Sequence, residues 1–333
     1  MPVIVQLILA LVVIVIAAEI FTNALEHLGE KLGISEGVTG SLFAAVGTAM
    51  PESMVPILAL LAGTANPEVN HAIGVGAILG APLMLSTLSL SIMGMSVFRQ
   101  RGAAGPLNPE RSGLSRDLNF FLLAFAVAGI ALILPKQPAL SIALALGLLI
   151  IYFFYILLTL KASAQLVENG HATETERPLF LSYIKLPDNY ATIVAQLIVG
   201  LGLLIGGAKM FVHAVEHASA ILGVSALLLS LLIIPIATEL PEKVNSILWI
   251  RRRRDTLAFG NISGAMVFQG SVLPAIGIML TPWAPDYEVV STIIVAYIAT
   301  LWLRFLVQRG QLRVWHLGVN GALYVLYLIA VLA

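Results

Sequence analysis

A five-residue pattern ending in a carboxylate occurs twice in the chain, at 48–52 (Thr-Ala-Met-Pro-Glu) and at 238–242 (Thr-Glu-Leu-Pro-Glu). Each copy lies inside a long apolar stretch, where an ionisable side chain costs about 2.5–3.5 kcal/mol and is therefore interpreted as functional. The proline removes a helical hydrogen bond at the same point, which predicts a broken helix with freed carbonyl oxygens. Two such sites in matching halves are typical of a cation transporter that binds its substrate at the middle of the membrane.

The spacing places the candidate ligands on one helical face. Thr48 precedes Glu52 by four residues, and Thr238 precedes Glu242 by four, with Glu239 one turn before Glu242 on that face. Two carboxylates with backbone and hydroxyl oxygens suit a hard cation such as Ca²⁺, which takes about six to eight oxygen ligands. Without a cation, crowded carboxylates would take up protons, so that cation binding and protonation would compete. Such competition is one route to antiport.

Each candidate also has a structural interpretation. Glu52 and Glu242 are alternatively buried acids paired with basic residues, and the two threonines alternatively bond back to the preceding turn. Glu239 is either a ligand or the partner of Lys243. Two further pairs repeated between the halves, Glu26-His27 and Glu216-His217, are interpreted as packing or capping groups, with a pH-sensing role as the alternative.

The composition identifies the class of protein. Hydrophobic residues make up 59% of the 333 residues and charged residues only 11%, against roughly 25% charged in soluble domains, which predicts an integral membrane protein. The formal net charge of zero argues against a nucleic-acid partner. The sequence has no cysteine, and it carries no phosphate-binding loop, catalytic triad or zinc helix, so we predict that it is not an enzyme.

Apolar stretches of about 20 residues predict ten transmembrane helices. The predicted spans are 3–24, 37–63, 71–97, 116–134, 138–162, 190–215, 222–250, 257–281, 287–306 and 312–332. The longest polar stretch, 164–189, divides the chain into a first five-helix repeat at 1–163 and a second at 190–333. All but three of the 18 lysines and arginines lie in loops after odd-numbered spans, so both termini are predicted outside and the 164–189 loop in the cytoplasm.

The two halves are related in sequence. A shift of 190 residues aligns 18–52 with 208–242 without a gap, and the identities include the Glu-His pair and the Thr-x-x-Pro-Glu pattern. A second match follows each motif, Gly-Ala-Ile-Leu-Gly at 76–80 and Gly-Asn-Ile-Ser-Gly at 260–264. Because each half has an odd number of spans, the second copy is inverted in the membrane. The glycines predict helices that approach the broken segments closely.

At these residues the sequence resembles the cation/calcium exchanger superfamily, the sodium/calcium exchanger-like antiporters. That family has two inverted repeats, each with Gly-Thr-Ser-x-Pro-Glu followed by Gly-Asn-x-x-Gly-Ser-Asn-x-x-Asn, and 47–52, 237–242, 76–85 and 260–269 are similar to these elements. The resemblance implies that Glu52 and Glu242 are the central calcium ligands, and that Thr48 and Thr238 give backbone oxygens. It also implies that the first span of each half is the moving gate.

The sequence departs from the family pattern at several polar positions. The serine after the threonine is Ala49 in one half and Glu239 in the other, and the last polar position of the second element is Leu85 or Gln269. In the sodium-coupled members such positions help to form the sodium sites, so their replacement tilts the prediction away from a three-sodium stoichiometry. Gln269 is a candidate cation-binding residue or an interhelical hydrogen-bonding group.

Together these features predict an all-α polytopic membrane protein that exchanges Ca²⁺ for Na⁺ or H⁺ by alternating access. The alternatives are the same fold with another substrate (Mg²⁺, Mn²⁺ or a monovalent cation with protons) and a non-transporting relative that acts as a membrane binding or regulatory partner. No cofactor is predicted beyond the transported cations. The expected partners are inorganic cations and the lipid bilayer, with no protein partner indicated. The predicted location is the plasma (inner) membrane of a prokaryote.

Overall fold

The structure, a computed structural model, describes residues 2–32, 44–167 and 178–332, and the regular elements in these ranges are helices. The α-helices are α1 (Val3–Lys31), α2 (Ala44–Ala62), α3 (Pro67–Met84), α4 (Leu90–Arg101), α5 (Arg111–Ile133), α6 (Pro138–Val167), α7 (Tyr190–Leu222), α8 (Ala226–Thr238), α9 (Leu240–Arg251), α10 (Asp255–Leu280), α11 (Tyr287–Arg309) and α12 (Val314–Leu332). A π-helical turn, Leu85–Ser89, joins α3 to α4, and a 3₁₀ turn, Phe180–Ile184, precedes α7. The all-helical prediction is confirmed for the described part of the chain.

Eight helical segments of the described chain are long and apolar enough to cross a membrane. They are Val3–Leu28, Pro67–Arg101, Arg111–Ile133, Pro138–Lys161, Tyr190–Leu222, Asp255–Leu280, Tyr287–Arg309 and Val314–Leu332. The other two predicted spans, 37–63 and 222–250, correspond to α2 and to the broken pair of helices α8 and α9. The protein is therefore a multi-pass membrane protein, while the count of ten spans, the outside termini and the division at 164–189 stay predictions.

Polar side chains define several of the helix starts. The Asn66 carboxamide accepts hydrogen bonds from the first amides of α3, with proline at the first helical position. Glu110 caps α5 through the amides of Ser112 and Gly113, each at 2.6 Å. Burial by itself would raise the pKa of the Glu110 carboxyl, but these hydrogen bonds stabilise the charged form and lower the pKa below its usual value.

The helix broken at the second motif was predicted correctly, whereas the break predicted at the first motif was wrong. α8 ends at Thr238 and α9 begins at Leu240, with Glu239 between them at φ −95° and ψ 14°. α2 instead continues from Ala44 to Ala62 through residue 51. The number of prolines does not explain the difference, because α2 also contains two, Pro51 and Pro56. In the second half, Pro235 lies in the last turn of α8 and Pro241 in the first turn of α9, a position where proline is tolerated, so the two prolines lie on either side of Glu239.

The packing interleaves the two predicted halves. α1 packs along α7, α3 packs along α8, α10 packs against α5 and α6, and α12 packs against α4 and the π-helical turn. The most enclosed segment is α3, whose residues from Ile73 to Met84 are all buried. The close approach predicted from the first glycine pair is confirmed, because a Cβ at Gly80 would lie 2.3 Å from the carbonyl oxygen of Leu231 in α8. The prediction from the second pair was wrong, because a Cβ at Gly260 would meet no described atom within 4 Å and one at Gly264 would meet only the Tyr155 hydroxyl of α6, at 3.5 Å.

Candidate cation-binding site

Four acidic or amide side chains are buried around the break between α8 and α9. Glu52 on α2 is 3% exposed, Glu239 at the break is fully buried, and Glu242 in the first turn of α9 is 4% exposed. Gln269 on α10 is 2% exposed and lies beside Glu239. The structure therefore brings together the side chains of four of the six residues predicted from the sequence to bind cations.

Glu52 lies near acids of the other half, since its surroundings include Glu242, Glu239 and the ammonium group of Lys243. α2 and α9 come from different halves of the chain, so the two repeated motifs lie near each other. Asn261 of α10 fixes α9 by donating from Nδ2 to the backbone oxygen of Glu242 at 3.0 Å.

The oxygen atoms at this site lack hydrogen-bond donors. Both carboxylate oxygens of Glu52 and of Glu239, one of Glu242 and Oε1 of Gln269 are buried and have no hydrogen-bond partner among the described residues. A buried ionised carboxylate without a partner is very unfavourable, so the site needs positive charge to balance it. Carboxylate and amide oxygens are the ligands that hard cations prefer.

Within the described residues, no three His, Cys, Asp or Glu side chains lie close enough together to hold a metal ion as they stand. A cation held by Glu52 and Glu242 would therefore draw its remaining ligands from Gln269, from backbone carbonyls or from water. Helix ends supply such carbonyls, and α8 ends at Thr238 beside the site. The oxygen-rich composition of the site fits a hard cation as a transported substrate.

The two threonines are differently placed. The Thr238 hydroxyl is buried and donates to the carbonyl oxygen of Ile234 at 3.1 Å, which is the alternative interpretation from the sequence. This bond uses the hydroxyl hydrogen of Thr238, whereas a cation would bind the lone pairs of the hydroxyl oxygen. Thr48 lies in α2 one turn before Glu52.

The structure places three more groups at the site that the sequence did not identify as ligands. Lys243 extends its ammonium group to 3.5 Å from Oε2 of Glu239 and to 3.0 Å from Sδ of Met84. Tyr324 of α12 is buried and lies near Glu239. Met84 lies immediately before the π-helical turn, and π turns inside α-helices are frequent at functional sites. Local sequence contains no signal that brings α12 or the end of α3 to this position.

The first-half counterpart of Gln269 is apolar. Leu85 is fully buried, and Ala81 is 2% exposed. Among the side chains that the structure describes, the second half contributes Glu239, Glu242 and Gln269 to the site, and the first half contributes Glu52.

The repeated Glu-His pairs differ between the halves. His27 is buried with Nδ1 at 3.5 Å from a carboxylate oxygen of Asp188, whereas His217 is exposed on α7. The two histidines therefore have different surroundings. The arginine run at 251–254 lies at the end of α9 and is exposed, as expected for groups that anchor a span end.

Interleaved membrane-crossing helices around buried carboxylates are typical of a helical membrane transporter. The comparisons with known proteins agree, because the family model for the sodium/calcium exchanger protein matches residues 2–161 and 192–333. The chain belongs to this family, and thus to the cation/calcium exchanger superfamily. The sequence-based prediction of the family, and of a transporter rather than an enzyme, is confirmed.

Individual relatives match most of the chain. The putative antiporter CaxA of Alkalimonas amylolytica is 27% identical over 284 residues, covering 83% of this chain and 80% of that protein. The inner membrane protein YrbG of Escherichia coli is 25% identical over 307 residues, covering 90% and 88%. The sodium/calcium exchanger MaX1 of Methanosarcina acetivorans is 22% identical, covering 97% and 96%.

Two solved structures share the fold. The H⁺/Ca²⁺ exchanger CAX matches with a TM-score of 0.72 at 18% identity, covering all of this chain and 82% of that one. The sodium-calcium exchanger NCX_Mj matches with a TM-score of 0.59 at 20% identity, covering 98% and 97%. Both establish the architecture on which the site is built.

Proposed function

We propose that the protein is a secondary antiporter that exchanges Ca²⁺ for Na⁺ or H⁺ at a site centred on Glu52 and Glu242. The observation that carries the proposal is the group of buried oxygens at these residues without hydrogen-bond partners among the described residues. A divalent cation would balance the two carboxylates. The same oxygens are then unavailable to a counter-ion, so the two kinds of ion occupy the site in turn.

Exchange follows from the cost of burying charge. With two ionised carboxylates and no cation, the site would hold uncompensated charge in a low-dielectric interior, which is strongly unfavourable. A change of access from one side of the membrane to the other is thus favoured only when Ca²⁺ or the counter-ions are bound. Alternating access by movement of α1 and α7 is part of the proposal, and the extensive packing of α1 on α7 is consistent with joint movement of the two helices.

The apolar positions at the site bear on the counter-ion. Leu85 and Ala81 are buried and have no side-chain oxygen, which reduces the number of ligands available for additional sodium ions. This composition favours fewer sodium ions per cycle than three, and it leaves protons as the other candidate.

The test is uptake of radioactive calcium into proteoliposomes that contain the purified protein. An outward Na⁺ gradient and a pH gradient would be imposed in separate reactions. We expect uptake under at least one gradient, and loss of that uptake in Glu52→Gln and in Glu242→Gln. Glu68→Gln is the matched control, because Glu68 is exposed in the first turn of α3. Absence of uptake under both gradients, from folded protein, would contradict calcium antiport.

A second candidate substrate is a divalent cation with fewer ligands, such as Mg²⁺ or Mn²⁺. The observation in its favour is that the first half has the buried, apolar Leu85 at the position where the second half has Gln269, so this pair of positions supplies one side-chain oxygen instead of two. Mg²⁺ keeps several waters and needs only one or two carboxylates. Competition of each metal with calcium uptake would distinguish the substrates, while cation binding without flux would indicate a binding or regulatory protein. We also propose, from the sequence, that the membrane is the plasma membrane of a prokaryote.

A further inference from the structure

The ammonium group of Lys243 is built into the break between α8 and α9. It donates to the backbone oxygen of Pro235 at 2.7 Å and to Sδ of Met84 at 3.0 Å, and it lies 3.5 Å from Oε2 of Glu239. The side chain is 11% exposed and that of Glu239 is fully buried. These contacts come from three segments of the chain, so the position of the charge is determined by the fold.

The sequence adds this acid and this base together. In the alignment of the halves, Glu239 corresponds to Ala49 and Lys243 to Ser53. The first half therefore lacks both charges, and the second half has one of each. Their formal charges cancel, which leaves the charge of the site at that of Glu52 and Glu242.

We propose that Lys243 is an internal cation that neutralises Glu239 and thereby sets the number of positive charges carried in one transport cycle. This inference rests on the proposed function, because it specifies the charge of the same site. With Lys243 in place, one divalent cation balances Glu52 and Glu242. Without it, Glu239 adds a third uncompensated carboxylate, and the calcium-loaded site has a residual negative charge.

The charge argument predicts effects of opposite sign for the two partners. Lys243→Gln removes a positive charge beside the site and should tighten Ca²⁺ binding on the order of tenfold. Glu239→Gln leaves the ammonium group without its carboxylate and should weaken binding by a similar factor. The double variant restores the original net charge and should bind close to the wild-type affinity. A pair that only stabilises the fold would weaken binding in both single variants.

The binding experiment uses ⁴⁵Ca²⁺ and the full-length purified protein in detergent micelles. Lys209→Gln is the matched control, because Lys209 is a lysine on the membrane helix α7 but is exposed. Glu52→Gln is included in the same series to test the site itself. Retained calcium binding in Glu52→Gln would contradict the proposed function, whereas equal weakening in Lys243→Gln and Glu239→Gln would overturn only the inference about the lysine.

A second readout is the dependence of calcium flux on membrane potential in proteoliposomes. In Lys243→Gln the calcium-loaded site has a residual negative charge, and a change of access moves that charge through the electric field across the membrane. Calcium flux in Lys243→Gln should therefore respond to an imposed membrane potential more strongly than flux in the Lys243→Gln/Glu239→Gln double variant. An unchanged response would overturn the inference. If the wild type binds no calcium, the inference stands only if Lys243→Gln creates binding, and it falls if that variant does not.

Discussion

A buried ion pair joins the end of α4 to the start of α10, and its removal should strongly destabilise the protein. Arg101 donates from Nη1 to Oδ2 of Asp255 at 2.9 Å and from Nη2 to Oδ1 at 2.7 Å. Both side chains are 7% exposed. The same guanidinium also donates to the backbone oxygen of Ile250 at 2.6 Å, and Oδ2 accepts from the amide of Asn108 at 2.8 Å.

The size of the effect follows from what Arg101→Met leaves behind. Methionine retains the apolar stem, but the Asp255 carboxylate keeps only the donor from Asn108. Breaking a buried pair by removing one partner typically costs about 3–5 kcal/mol, because a buried charge is left uncompensated. Arg101→Met/Asp255→Asn removes both charges and should cost less than the sum of the single changes, by about 1–3 kcal/mol.

The measurement is the free energy of unfolding in mixed micelles, from a titration with a denaturing detergent followed by circular dichroism. Arg99→Met provides the control, since Arg99 is exposed near the same helix end and should change stability by no more than about 0.5 kcal/mol. The reasoning would be refuted by a loss below about 1 kcal/mol in Arg101→Met, or by strict additivity in the double variant.

Three further predictions concern the helices around the site. Gly80→Ala should lower the midpoint of thermal unfolding and reduce transport, because its Cβ would lie 2.3 Å from a carbonyl oxygen of α8, while Gly318→Ala, with no atom within 4 Å among the described residues, should be tolerated. Asn320→Leu should destabilise by roughly 1–3 kcal/mol, measured by the same detergent titration, because Asn320 donates to the backbone oxygen of Ser86 in the π-helical turn at 2.8 Å. Glu110→Ala should lower the free energy of unfolding by about 1 kcal/mol near pH 7. Because the pKa of Glu110 is lowered in the folded protein, this difference in stability should persist above the usual glutamate pKa and shrink as the pH falls below it. A difference that stays constant with pH would contradict the capping role.

Much of this architecture could be predicted from the sequence because hydrophobicity and charge directly report a membrane environment. Each predicted span has a helix at its position within the described residues. The repeated motif also indicates Glu52 and Glu242 as candidate ligands without any knowledge of how the helices pack. Residues 33–43 and 168–177, which include part of the second span and of the central loop, lie outside the described residues.

What the sequence could not predict depends on contacts between distant segments. Adjacent residues of a helix point about 100° apart, so the sequence does not determine whether the Lys243 side chain enters the site beside Glu242. Its position depends on the break at Glu239. The π-helical turn has no distinctive local composition, and the approach of Tyr324 depends on how α12 packs. The break wrongly expected at residue 51 shows that prolines need not end a helix, since α2 continues through both Pro51 and Pro56.

The differences between the halves are as informative as their similarity. Repetition explains why a carboxylate follows a proline in each half, but it does not explain Glu239, Lys243 or Gln269, which have apolar or neutral counterparts. Glu239 and Lys243 lie at the break, with Gln269 of α10 beside Glu239, and the ammonium group of Lys243 donates to the carbonyl oxygen of Pro235. The second half thus contributes both the polar lining and its own compensating charge, whereas the first contributes Glu52 from a continuous helix. Because both carboxylate oxygens of Glu52 are buried without a hydrogen-bond partner among the described residues, we expect the proposed exchange to be sensitive to substitution of this residue.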